Sequence, residues 1–204
     1  MAGKFIVFEG LDGSGKGTML SLTAKWLFSS TNYDKILLTR EPTYSGVGRQ
    51  IRRILRSDRD PIDKAKLMLT LYLEDRKEHL EKVIKPALQI GSIVLCDRYK
   101  YSTMCYQHAQ GIPLEKTIAL HEKMLVPDLT LILDVDVNTA WQRINASRRI
   151  KEKFESEVFL EEIRQNYLKL PMLLPKENIK IIDASGSIDE TFAKVKREIS
   201  KVLK

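Results

Sequence analysis

Residues 9–18 read EGLDGSGKGT, and Gly10 through Gly15 and Lys16 meet the spacing G-x-x-x-x-G-K of a loop that wraps phosphate. Glycines at this spacing let successive backbone N–H groups converge on phosphate oxygens. A helix opening behind them adds its positive end, and Lys16 adds a point charge for the outer phosphates. The hydroxyl residue that completes the pattern is absent: Gly17 stands there, with Thr18 one position on. The candidate polyphosphate ligands are therefore Gly10, Leu11, Asp12, Gly13, Ser14, Gly15, Lys16, Gly17 and Thr18.

Other charged residues recur where apolar runs end, in TREP (39–42), CDRY (96–99), DVD (134–136) and DASGS (183–187). Asp97 follows the run SIVLC, and a carboxylate there can hold Mg2+ directly or through water. Arg40, Arg76 and Arg98 each carry the fork that clamps a phosphate bidentately, although any one alone also suits a surface salt bridge. The densest basic stretch holds Arg143, Arg148, Arg149, Lys151 and Lys153. It fits either arginines that close over a phosphoryl group or a solvated helix end. Tyr72, Tyr99, Tyr101 and Tyr106 offer faces that can stack on a nucleobase or pack in a core. His79, His108 and His121 have no ligand spacing and receive no role.

These residues need a frame that brings them together. Short apolar runs at Lys4–Glu9, Lys35–Thr39, Ser92–Cys96, Leu129–Val135 and Ile179–Asp183 predict strands buried on both faces. Between them, helical spacing covers the stretch after the glycine loop, residues 46–57, and residues 61–90 opened by Pro61. A last helix places Ile188, Phe192, Val195, Ile199 and Val202 on one stripe. Alternating strands and helices predict a parallel sheet covered on both sides, which binds ligands at the carboxyl ends of its strands. TREP, CDRY, DVD and DASGS all fall at those ends.

Composition bounds the alternatives. The 204 residues are 43% hydrophobic, enough for one α/β core, with no repeat or low-complexity linker. No run approaches the roughly 18 apolar residues of a membrane span, and the N-terminus lacks the pattern of a signal peptide. Cys96 and Cys105 have neither disulfide-framework nor zinc spacing and fit a reducing cytoplasm. The net charge of +7 suits nucleic acid or a cleft for anionic small molecules, but the basic residues do not gather into one tail.

The runs FEGLDGSGKGT, TREP, LYLEDRKEHLEKVIKPAL, CDRYKYSTMCYQ, PDLTLILDVD, FESEVFLEEIRQNYLKL and IIDASGSIDE together resemble the thymidylate kinase family of nucleoside monophosphate kinases, over nearly the whole chain. The resemblance implies a P-loop NTPase-type five-stranded parallel sheet with helices on both faces and a short basic lid at about 143–156, in a single domain spanning 1–204. It implies Mg2+-dependent transfer of the γ-phosphoryl group of ATP to dTMP, in a cytoplasmic homodimer with no membrane or nucleic-acid partner. On the donor side it assigns Lys16 and the loop to the ATP phosphates, Arg143 to packing on adenine, and Asp97 and Thr18 to the metal. On the acceptor side it implies Asp12 at the sugar 3′-hydroxyl, Tyr72 stacked on thymine, and Arg76 at base and phosphate. Arg98 holds the phosphate, Tyr106 packs under the 2′ position, Gln107 lies near the base, and Arg40, Glu41, Pro42 and Ser102 line the same side. Family members with glycine at the position of Gly13 carry their catalytic arginines in the lid, which implies Arg148 and Arg149. Two departures stand out. Thr43 and Tyr44 replace the glycines usual after TREP, which predicts a bulkier acceptor loop and keeps open a different acceptor, such as dUMP or a deoxynucleoside. Cys105 replaces the small residue usual before YQ.

Overall fold

A computed structural model of the chain describes residues 3–30, 33–57, 64–147 and 157–203. Five strands, β1 (Lys4–Glu9), β2 (Ile36–Arg40), β3 (Ile93–Asp97), β4 (Leu129–Asp134) and β5 (Ile179–Asp183), form one sheet in the order β2-β3-β1-β4-β5. Every pairing is parallel. Four consecutive side chains of β1, from Phe5 to Phe8, are at most 1% exposed, so this central strand is covered from both sides.

The covering helices follow from the connections. α1 (Lys16–Ser29) carries the chain from β1 to β2. α5 (Lys100–Ala109), followed by α6 (Leu114–His121), carries it from β3 to β4, in the opposite direction across the sheet. Right-handed crossovers in opposite directions put their helices on opposite faces. α7 (Val137–Ser147) and α8 (Glu157–Leu173) follow β4, and α8 packs beside α5. α9 (Ile188–Val202) joins α1 through an edge-to-face pair of Trp26 and Phe192. Its stripe is buried at Val195 and Ile199, but Ile188 at its head is 58% exposed and lines the cleft described below.

Strand ends differ by a residue from the sequence expectation, with a consequence for the site. β2 runs to Arg40 and β3 to Asp97, which makes these two register partners across the sheet. The helix expected over 61–90 is also interrupted. Within the described residues it comprises α3 (Ala65–His79), a π-turn at Leu80–Ile84 and α4 (Lys85–Gln89). Pro86 accounts for the break, because its ring would meet the carbonyl four residues back in a continuous α-helix, and a wider turn relieves the clash. Pro61 lies outside the described residues. No helix among the described residues is long and apolar enough to cross a membrane.

α2 (Gly46–Ser57) matches its expected bounds and packs on α3. It approaches the preceding loop so closely that a Cβ on Gly48 would lie 2.0 Å from the Thr43 carbonyl oxygen. Gly48→Ala is therefore expected to lower unfolding stability by about 1–3 kcal/mol, the range for forcing atoms into filled space. Urea denaturation of the two proteins checks this.

Candidate active site at the strand ends

The loop after β1 is shaped by backbone that only glycine adopts readily. Gly13 has φ +81°, and a Cβ there would stand 2.3 Å from the Ala140 carbonyl oxygen of α7. The loop thus nests directly against that helix. Lys16, at the start of α1, is buried, and its Nζ donates to the carbonyls of Leu11 at 2.7 Å and Gly10 at 3.1 Å. The Asp12 carboxylate lies 3.8 Å from it. Burial first, and the Arg98 charge second, lower the Lys16 ammonium to about 8. Leu11 turns its side chain into the core, while the Oγ of Ser14 is buried with no hydrogen-bond partner among the described residues.

The end of β3 meets this loop. The Arg98 amide donates to the Phe8 carbonyl at 2.9 Å, and Arg98 then adopts φ +70°, which no other described non-glycine residue does. Its side chain faces the loop, and Nη2 donates to Asp12 Oδ1 at 2.7 Å and to the Tyr106 hydroxyl at 3.3 Å. The guanidinium lies over the Tyr106 ring at 5.2 Å. Its Nη1 donates inward, to Ser102 at 2.9 Å and Tyr167 at 3.2 Å. Asp97 Oδ2 lies 3.9 Å from Arg40 Nη2. The other oxygen, Oδ1, is buried without a hydrogen-bond partner among the described residues. An orphaned carboxylate oxygen beside a phosphate loop fits a hard, oxygen-seeking cation that keeps several waters.

Together these residues border a cleft of about 520 Å³ whose lining includes Lys16, Thr18, Arg40, Asp97, Arg98 and Arg143. Its far end reaches Ala184, Gly186, Ile188 and Thr191. There Arg143 Nη2 donates to the Ala184 carbonyl at 3.0 Å, which spreads the guanidinium along the cleft wall. Gly17 has open space around the position of a Cβ. Arg148, Arg149, Lys151 and Lys153 lie outside the described residues.

The acceptor-side candidates form a second, mostly buried layer. Arg76, 1% exposed, donates from Nε to Glu41 at 2.8 Å, from Nη1 to His121 Nε2 at 2.6 Å and from Nη2 to Thr103 at 3.0 Å. The other Glu41 oxygen accepts from His79 Nδ1 at 3.0 Å, and His79 Nε2 meets Thr39 Oγ1 at 2.6 Å. Tyr72 packs against the cluster of Ile51, Met68 and Leu71. Gln107 is buried and donates to Gln110 at 3.0 Å, leaving its own oxygen without a partner among the described residues. Pro42 follows Glu41 through a cis peptide bond.

Two expectations change here. Thr43 and Tyr44 do not line the cleft. The Thr43 amide donates to Asp75 at 2.7 Å, its hydroxyl donates to the same carboxylate, and Ser45 Oγ adds a third bond at 2.7 Å. Tyr44 is 70% exposed, with the Arg52 guanidinium over its ring at 4.4 Å. Thr43 thus anchors the loop to α3, while Tyr44 lies against Arg52 of α2. The histidines given no role, His79 and His121, are structural members of the Arg76–Glu41 network. Only their separation along the chain made them look isolated. Glu9, Asp75 and Tyr167 also escaped sequence reasoning. For Glu9 a signal existed, since a charged last residue in a strand buried on both faces demands partners.

The fold and the cleft define the class of P-loop nucleotide-binding proteins, with the glycine loop and a strand-end Asp-Arg pair on adjacent strands. A family model described as Thymidylate kinase matches residues 8–195, and the chain belongs to the thymidylate kinase family. It is 42% identical over 195 residues to a probable thymidylate kinase of Thermococcus gammatolerans, covering 92% of this chain and 91% of the relative. It is 41% identical over 195 residues to a probable thymidylate kinase of Pyrococcus horikoshii, with 93% and 92% covered. It is 37% identical over 203 residues to a thymidylate kinase of Thermosipho africanus, with 98% of each chain covered.

The His121 ring makes a pH prediction. Its Nδ1–H donates to the Thr117 carbonyl at 2.6 Å, so Nε2 is the acceptor for Arg76 and the ring is neutral. Burial, then the Arg76 charge, lower its pKa from 6.5 to about 3. The unfolded chain therefore binds a proton that the folded one refuses, and stability is lost as pH falls below 6.5. His121→Phe is expected to remove a slope approaching about 1.4 kcal/mol per pH unit between pH 6 and 5, while leaving the Arg76 donor unpaired at a cost of about 1–3 kcal/mol at pH 7. Unfolding free energies across pH test both parts.

Proposed function

We propose that the chain transfers the γ-phosphoryl group of ATP to the 5′-phosphate of dTMP, releasing ADP and dTDP. One observation carries the reading beyond family membership: the cleft places two cations from adjacent strands, Lys16 after β1 and Arg98 after β3, around the single carboxylate of Asp12. A donor phosphate chain on Lys16 and an acceptor phosphate on Arg98 would meet across that gap.

Phosphoryl transfer of this kind requires positioning and charge neutralisation more than covalent chemistry. The loop amides and Lys16 fix the β- and γ-phosphates of the donor. Arg98 holds the acceptor phosphate, Arg40 adds charge beside it, and Tyr106 lies under the sugar. Arg76, clamped by Glu41, His121 and Thr103, keeps further N–H groups for the base, with Tyr72 stacked on it, Gln107 alongside, and Pro42 and Ser102 shaping the wall. Asp12 gives up Arg98 as the acceptor enters and turns to the 3′-hydroxyl. No general base is required, because a phosphate oxygen is already a competent nucleophile. Asp97 and Thr18 would hold Mg2+, which would supply neutralisation of the developing phosphate charge. Arg143 packs on adenine at the end of the cleft bordered by Ile188.

The chain works as one domain with a lid at about 143–156, of which 148–156 lie outside the described residues, and it assembles as a homodimer. Two free, buried cysteines, Cys96 and Cys105, suit a reducing cytoplasm. The kinase of another acceptor loses its main motive, because Thr43 and Tyr44 face α3 and solvent.

ADP formation from Mg-ATP with dTMP, dUMP, dGMP, UMP, CMP, thymidine or no acceptor tests this function. Strong stimulation by dTMP with weak response to UMP is expected, and absence of stimulation by every acceptor would overturn it. Replacing Arg148 and Arg149 together by Ala is expected to lower kcat by ~10³, the scale of arginines that neutralise the transferring group. Full turnover by that variant would remove them from the mechanism.

A further inference from the structure

We infer that Glu9 and Tyr167 are positioning residues for the acceptor, holding the Arg98 guanidinium so that its outer edge receives the 5′-phosphate. The inference rests on the role of Arg98 proposed above and extends it to two buried residues outside the cleft lining.

Three elements converge beneath Arg98. Glu9 is the last residue of β1 and is wholly buried. Its Oε1 accepts from the backbone N–H of Tyr99 at 2.8 Å and of Ser102 at 3.2 Å, the free amides at the head of α5. Its Oε2 accepts from Ser102 Oγ at 2.6 Å and from the Tyr167 hydroxyl at 3.0 Å. Four donors thus fill a carboxylate that water does not reach, the condition under which a buried charge is tolerated. Tyr167 comes from α8 and is 2% exposed. Its register is fixed from both sides. One residue earlier Asn166 donates to the Cys105 carbonyl at 3.2 Å, and one turn earlier Arg164 makes a bidentate pair with Asp134 at 2.7 and 3.0 Å.

Proton counting links this cluster to Arg98. Ser102 and Tyr167 have one hydroxyl proton each: that of Ser102 goes to Glu9 Oε2 at 2.6 Å, and that of Tyr167 to the same oxygen at 3.0 Å or to Ser102 Oγ at 2.9 Å. With the protons spent there, the lone pairs of both oxygens face Arg98 Nη1, which donates to them at 2.9 and 3.2 Å. The inner edge of the fork is thereby tied down, and the outer nitrogen, Nη2, is presented toward Asp12 and the cleft. An uncharged side chain at position 9 that carries its own N–H would turn one hydroxyl around and deprive Nη1 of an acceptor. The order of influence runs from the Glu9 charge, through hydroxyl orientation, to the aim of the guanidinium.

Calorimetric dissociation constants for dTMP and for thymidine, which lacks the phosphate, distinguish positioning from general damage. The proteins compared are the wild type, Tyr167→Phe, Glu9→Gln, Arg98→Ala, and Tyr167→Phe and Glu9→Gln each combined with Arg98→Ala. Tyr167→Phe and Glu9→Gln are each expected to weaken dTMP about tenfold, the scale of a charged hydrogen bond, and to leave thymidine unchanged. On the Arg98→Ala background neither should weaken dTMP further. Equal loss for both ligands, or losses that multiply with that of Arg98→Ala, would overturn the inference. If Arg98→Ala weakens dTMP while Tyr167→Phe and Glu9→Gln do not, positioning alone fails. If Arg98→Ala leaves dTMP affinity intact, the phosphate role of Arg98 fails and the inference falls with it. Tyr167→Phe keeps the test open should the Glu9 variant not fold.

Discussion

Nearly every functional distance depends on how β1 and β3 pair. Their parallel register sets Phe8 against Asp97, and the Arg98 amide then donates back to the Phe8 carbonyl at 2.9 Å. One residue beyond that rung, β1 ends in Glu9 and the glycine loop, while β3 has already turned at Arg98. A slip of the register by one residue would exchange the faces of every side chain and separate Lys16 from Arg98. The Glu9 carboxylate at the end of β1, held by donors from Tyr99, Ser102 and Tyr167, opposes the slip, so a buried charge fixes the spacing of the two cations.

On the acceptor side the organising principle changes from backbone pairing to buried charge. Arg76 and Glu41 are almost wholly withdrawn from water, and a buried pair of this kind adds little stability over apolar residues of the same size. What it supplies is direction. Glu41 arrives from the loop after β2, Arg76 and His79 from α3, Thr103 from α5 and His121 from α6. Asp75 adds bonds from α3 to Thr43 and Ser45. The acceptor wall is thus a polar junction of four elements, in which a neutral histidine serves as the hydrogen-bond acceptor that a second carboxylate would otherwise have to be.

The sheet was legible because strands buried on both faces leave continuous apolar runs, and the loop because its glycine spacing has few other uses. Strand ends were off by a residue at Arg40 and Asp97, since a charged side chain reads as a turn even when its backbone still pairs. The long helix was legible to within a residue of its end, but its π-turn before Pro86 was not, because the apolar spacing persists through it. Contacts that no local pattern encodes stayed hidden. Tyr167 lies 158 residues from Glu9, and His121 lies 45 from Arg76, separations that only the fold brings together. Thr43 and Tyr44 misled for the opposite reason: a local difference in bulk suggested an altered pocket, while the side chains are turned toward Asp75 and solvent.

Gly13 and Ala140 occupy one small volume between them, because the α7 backbone at Ala140 fills the space into which a side chain at position 13 would grow. An arginine on the loop and a helix lying against it are therefore competing tenants. A chain that seats α7 this closely has given up the loop as a place for an extra positive charge. Moving between the two arrangements requires the helix to retreat and the arginine to arrive together, and neither change alone leaves a well-packed cleft. Sterics thus separate the two ways of building such a site.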